Sequence, residues 1–163
     1  MKNRIESTII ITAENQERFI ERCIKSCLNQ SVKNIEIIII FTKLKNINVL
    51  KKKYLSKNIV FLNITKKINK PTQDQLFKIK QGLLISKGKY IFLLDGDDTY
   101  KKNKVKEAIN SIKDRKVLFL DSHENNKDNI KQINKVHGFK ETNLYKTLIN
   151  AWPKGVCTSC IVL

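Results

Sequence analysis

Three carboxylates crowd into four residues at Asp95-Gly-Asp97-Asp98, directly after the apolar run Tyr90-Ile-Phe-Leu-Leu94. Like charges at this spacing repel one another, and a cation among them would remove the repulsion. Hard divalent ions such as Mg²⁺ or Mn²⁺ take carboxylate oxygens and commonly bridge to substrate phosphates. If the apolar run is a strand, it delivers the cluster to its C-terminal end, where open α/β sheets bind ligands. A plainer role stands beside this one. Asp and Gly are ordinary turn residues, and the cluster can simply close a strand.

The remaining residues with chemical potential are sparse. Cys157-Thr-Ser-Cys160 has the spacing of half a zinc site or a redox pair. A zinc centre would need Cys23 and Cys27 to converge on the same point, yet those two fall on the apolar face of a helix. The cysteines are therefore read as reduced thiols used for packing. His123 and His137 lie in or beside a polar stretch and read as solvated surface side chains.

The elements that must position the acidic cluster alternate between β-rich runs and helical periodicity. Strands are expected at 8–12, 35–41, 59–62, 90–94 and 117–120, the second buried on both faces because nearly every position is β-branched. A helix over 16–28 is capped by Asn15 and carries Phe19, Ile20, Cys23, Ile24, Cys27 and Leu28 on one stripe. A weak helix follows over 49–55. Another spans 72–86, with Leu76, Ile79, Leu83 and Leu84 inward and Lys87-Gly88 closing it in a left-handed cap. A helix over 101–114 carries Val105, Ala108, Ile109 and Ile112. Residues 122–136 read as a mobile loop, 143–151 as a short helix and 156–163 as a last apolar run. Strand and helix in alternation give a mostly parallel sheet with helices on both faces.

At 163 residues the chain suits a single domain, residues 1–163. Its apolar runs fall far short of a membrane span, and the one after Met1 is too short for a secretory segment. A cytoplasmic protein is expected. The net charge of +17 suits anionic partners. However, the lysines are scattered and no RNA-recognition or zinc-finger pattern accompanies them, so no specific nucleic acid is expected. Loose peripheral association with anionic headgroups at the inner membrane face fits better. The last apolar run reads as an exposed strand that a missing half or a second subunit of a homo-oligomer would cover.

Taken in order, these segments resemble the family 2 glycosyltransferases of the GT-A, Rossmann-like fold. Thr8-Ile-Ile-Ile-Thr-Ala-Glu-Asn15 resembles the family's opening strand and nucleotide-contact loop. Phe19 to Ile40 resembles its first helix, its Leu28-Asn-Gln30 turn and its second strand. Gln81 to Asp98 resembles the stretch that runs into the DxD motif. The resemblance implies transfer of a sugar from a UDP- or GDP-sugar donor to a glycan or lipid-linked acceptor, as in polysaccharide biosynthesis, with Mn²⁺ or Mg²⁺ holding the diphosphate. It implies that residues 1–100 form the nucleotide-binding half and 101–163 a partial acceptor-side half. Residue by residue, Asp95 corresponds to the position near the ribose and metal. Asp97, with Asp98 beside it, corresponds to the metal-binding end. Thr12 and Asn15 correspond to the loop near the base, and Gly82 to a helix position near the donor. For Gly82, easing of helix–sheet packing is an equal alternative.

The chain departs from the family in three places. After the second strand the family carries aspartates, one of which reads the base; here the strand runs into Phe41-Thr-Lys-Leu-Lys45. Ile79 stands where the family has a basic residue before Gly82, with Lys78 and Lys80 as neighbours. The carboxylate that acts as general base in inverting members lies beyond the acceptor-binding strand, and the chain ends at about that strand. Asp121 is the weak candidate, although a strand-end cap is the plainer role for it. The expected fold is thus GT-A-like and short at its C-terminus, and the alternative function is a donor-binding module without its own base. Trp152-Pro-Lys-Gly155 falls where the family makes acceptor contacts, as a sugar platform or a packed turn anchor.

Overall fold

Two adjacent runs of isoleucine build the centre of the molecule. Ile9–Ile11 lie in strand β1 (Ser7–Glu14) and Ile37–Ile40 in strand β2 (Ile35–Thr42), all at most 2% exposed. β-branched side chains pack well on a pleated surface, and continuous apolar runs are what a sheet covered on both faces requires. The computed structural model describes residues 5–66, 68–112, 123–124, 131–132 and 158–163. Strand β3 (Ile59–Asn63) lies outside β2, and β4 (Tyr90–Asp95) lies on the other side of β1, all parallel, in the order β3-β2-β1-β4.

The chain therefore moves outward from β1 to β3 and then returns to the far side of β1. That reversal leaves a crevice between the C-terminal ends of β1 and β4, the place where such sheets take ligands. Helices α1 (Ile20–Leu28), α2 (Ile47–Lys53) and α4 (Lys104–Ile112) cover one face. Helix α3 (Pro71–Ile85) covers the other. The predicted α/β class, the first four strands and the helices on both faces are all present.

The last residues behave differently from expectation. Ile91 and Leu163 exchange backbone N–H···O bonds of 2.8 and 2.7 Å, and the Leu93 N–H donates to the Ile161 carbonyl. The run thus pairs antiparallel with β4 through the Phe92–Val162 bridge. Ile161 and Val162 are buried, so the expected exposed strand is instead covered by this chain's own β4 and core. Within the stretch read as a loop, β5 (His123–Glu124) and β6 (Lys131–Gln132) form a short antiparallel pair. The strand expected at 117–120, the helix at 143–151, Asp121, His137 and Trp152 lie outside the described residues.

Helix ends also depart from the sequence reading. Asn15 does not cap α1; it takes a φ of 52°, and the Gln16 carbonyl accepts the Phe19 and Ile20 N–H groups instead. Asn tolerates that left-handed conformation better than most residues. Phe19 and Leu28, expected on the inner stripe, are about two-fifths exposed, and Leu84 of α3 points outward at 69%. Nor does Gly88 form a left-handed cap, since α3 ends through an extended Ser86. Its small size serves another purpose: a Cβ there would lie 2.4 Å from the Thr8 backbone nitrogen, and backbone cannot yield as a side chain can. The Gly88 N–H donates to Thr8 Oγ1, whose hydroxyl donates to Glu36, a carboxylate 1% exposed that also accepts the Lys87 N–H. This fully paired network locks the three central strands at the end opposite the crevice.

Candidate functional site

The register of the sheet sets Thr12 directly beside Asp95 at the C-terminal ends of β1 and β4. The Thr12 hydroxyl donates to Asp95 Oδ1 at 3.1 Å, and Gln75 Nε2 of α3 donates to the same oxygen at 2.5 Å. Gln75 also reaches Thr158 Oγ1 at 3.1 Å. Ser159 accepts the Asp95 backbone N–H at 3.1 Å and donates its hydroxyl to Asp98 Oδ2. Two carboxylates are thus held by donors from three separate segments of the chain. A carboxylate fixed in this way keeps its orientation.

The turn that carries the cluster is itself anchored. The Gly96 N–H donates to the Thr12 carbonyl and the Asp98 N–H to the Asp95 carbonyl. Any side chain at Gly96 would press on Ala13 and Gln16, its Cβ only 2.4 Å from Gln16 Oε1. From α1, the Arg22 guanidinium donates to the Asp97 carbonyl at 2.8 Å. Buried Gln30 bonds the Lys101 carbonyl and the Val105 N–H, fixing the chain just after the cluster. The Asp97 side chain faces solvent, while Asp95 and Asp98 are half-buried.

Cys23 and Cys27 are buried free thiols, as expected of packing residues. The Cys23 Sγ donates weakly to the Asp95 carbonyl at 3.6 Å. A side-chain hydrogen bond with Cys27, then burial and the nearby Asp98 and Asp95 carboxylates, push the Cys23 thiol well above its usual pKa. The thiolate is the reactive form. In the native protein at pH 8, iodoacetamide followed by peptide mapping should therefore leave both residues unmodified, and unfolding should expose them. Rapid native labelling of Cys23 would contradict this packing.

Among the described residues, no three His, Cys, Asp or Glu side chains gather closely enough to hold a cation alone. Mg²⁺ and Mn²⁺ do not require that. Mg²⁺ in particular commonly binds through one or two carboxylates and completes its shell with substrate phosphates and water. Two oriented carboxylates beside an exposed Asp97 suit such a cation, with all donors hard oxygens.

Of the residues singled out from the sequence, Thr12, Asp95 and Asp98 come together, and Asp97 stands at their rim. Asn15 is exposed in the turn after β1. Gly82 lies apart from the cluster, in the contact of α3 with the sheet, where a Cβ would sit 2.7 Å from Ile40 and 2.8 Å from Ile10. Gln75, Thr158, Ser159 and Arg22 were not visible as partners beforehand. A polar residue one turn before Ile79, on the helix that enters the crevice, was the only available hint of Gln75.

At the end of β1 a second charged group adjoins the first. Lys78, 3% exposed, pairs with Asp74 at 2.5 Å and with Glu14 at 3.7 Å, and Lys43 reaches Glu14 at 3.5 Å. Lys78 is one of the two neighbours of Ile79 noted above; Lys80 is exposed.

The fold is shared with several solved structures. S. aureus TarS 1-349 in complex with UDP-GlcNAc aligns with a TM-score of 0.63 and 20% identity, over 78% of this chain and 37% of that one. The mannosyltransferase PcManGT from Pyrobaculum calidifontis, in complex with GDP-Man and Mn²⁺, gives 0.62 and 13% over 78% and 38%. A longer TarS structure gives 0.58 and 19% over 71% and 21%. At such identities the likeness establishes the GT-A fold alone. The chain spans about a fifth to two-fifths of the length of these structures. No curated protein matches it significantly. A sequence profile described as Glycosyl transferase family 2 does match, over residues 8–43 and 50–162. With that profile covering most of its length and the sheet matching in space, this chain belongs to glycosyl transferase family 2.

Proposed function

We propose that the chain binds a nucleotide-diphosphate sugar, with UDP- and GDP-sugars as the donor class, and takes part in transferring the sugar to a hydroxyl of a glycan or lipid-linked acceptor. The observation that carries this reading is the pair of oriented carboxylates, Asp95 and Asp98, at the reversal point of the sheet. Family membership supports the reaction class.

In this reading Asp97 and Asp98, with Asp95 behind them, hold Mn²⁺ or Mg²⁺. The cation, when bound, neutralises charge as it develops on the leaving diphosphate. The chain's own residues do the positioning. Thr12 and Gln75 both hold Asp95 Oδ1, and Ser159 couples Asp95 to Asp98. Thr12 and Asn15 line the approach of the base and ribose. Residues 1–100 serve as the donor-binding half. Asp121 lies outside the described residues, and no general base is assigned.

The test is thermal stabilisation of the full chain by UDP and by GDP, each with and without Mn²⁺. A ligand that binds only the native state raises the melting temperature by mass action. A rise that needs both nucleotide and Mn²⁺ is expected. No shift with either nucleotide would overturn the reading.

A further inference from the structure

From Ile37 to Gln73 the chain contains nine lysines and no carboxylate. This segment forms β2, α2 and the edge strand β3, and on α2 and the turn after it Lys51, Lys52 and Lys57 are exposed. On α2, Leu50 and Tyr54 face the core. Val49, Lys52 and Leu55, spaced three apart, stand on the outer side. Val49 is 66% and Leu55 86% exposed, and exposed Lys51 and Lys57 flank them. The neighbouring Lys53 pairs with Glu21 of α1 at 2.6 Å, and Lys51 lies over the Phe41 ring. The helix is therefore fastened to the body of the protein.

Anionic partners of two kinds could meet such a surface. A nucleic-acid backbone would engage the lysines but has no use for two protruding aliphatic side chains. A bilayer surface takes both: lysines meet lipid phosphates while Val49 and Leu55 enter the boundary between headgroups and acyl chains. We propose that the outer side of α2 and the turn after it dock on an anionic phospholipid surface. Because α2 starts just beyond the C-terminal end of β2, docking there holds the crevice-bearing edge of the sheet near the bilayer. The proposal does not depend on the donor-site reading.

Sedimentation of the full chain with phosphatidylcholine vesicles, with and without phosphatidylglycerol, tests it. Binding is expected only with the anionic lipid and should weaken as salt rises. It should fall about tenfold both in Val49→Ser/Leu55→Ser and in Lys52→Glu/Lys57→Glu. All four positions are exposed, so an unchanged melting temperature separates lost docking from lost fold. Failure to bind phosphatidylglycerol vesicles overturns the proposal, as does parent-like binding by both variants. Loss in the lysine variant alone also overturns it, since that marks general attraction to polyanions. UDP and GDP stabilisation, measured on the same variants, should be unaltered.

Discussion

Asp97→Ala is expected to lose the Mn²⁺-dependent part of nucleotide stabilisation, a fall in affinity of about a hundredfold. The effect is large because Asp97 carries the exposed carboxylate of the cluster, and its neighbours are already engaged: Asp95 by Thr12 and Gln75, Asp98 by Ser159. At a ligand concentration of about a thousand times Kd, the parent gains roughly 4 kcal/mol of stability, and a hundredfold loss leaves a little over 1 kcal/mol. That difference is several degrees of melting temperature in a domain this size. Gln75→Ala offers a second readout. Gln75 acts through Asp95, so its removal should weaken Mn²⁺-dependent binding about tenfold while leaving any metal-independent nucleotide binding intact. Equal Mn²⁺-dependent shifts in the parent, Asp97→Ala and Gln75→Ala would remove the acidic cluster from the site.

Part of this arrangement was legible in the residues. Ile9–Ile11 and Ile37–Ile40 announce strands buried on both faces, and Asp95 follows such a run at the end that faces ligands. What was not legible follows from how each signal arises. Periodicity identifies a helix face by its apolar content, and α3 violates that rule: it buries Asp74 and Lys78 and exposes Leu84 and Ile85. Gln75, adjacent to the buried pair, therefore carried no periodic signal that it faces the acidic cluster. Ser159 stands 61 positions from Asp98, with which it bonds, and nothing local in Thr158-Ser159 marks it. Asn15 shows the converse, a cap residue by type that the chain uses as a left-handed turn after β1.

Lys78→Ala should destabilise the protein by about 3–5 kcal/mol, the usual result of stripping one partner from a buried ion pair. The Lys78 side chain is 4% exposed and the Asp74 side chain 11%, so Asp74 would lose its buried partner with little access to water in its place. Glu14 contributes less, because at 42% exposure water screens its contact with Lys78. Lys78→Met/Asp74→Leu removes both charges while keeping similar volume, and it should fall within about 1–2 kcal/mol of the parent or exceed it. Urea unfolding of the three proteins measures this directly. A cost below about 1 kcal/mol for Lys78→Ala would mean that the pair is not buried as described. The double variant then separates stability from positioning. It keeps the fold but releases Glu14, two residues beyond Thr12, from the only buried cation holding it among the described residues. If this tie orients the end of β1, nucleotide affinity should drop in the double variant although its stability is restored. Unchanged affinity would confine Lys78 to the interior and leave Thr12 held by the sheet alone.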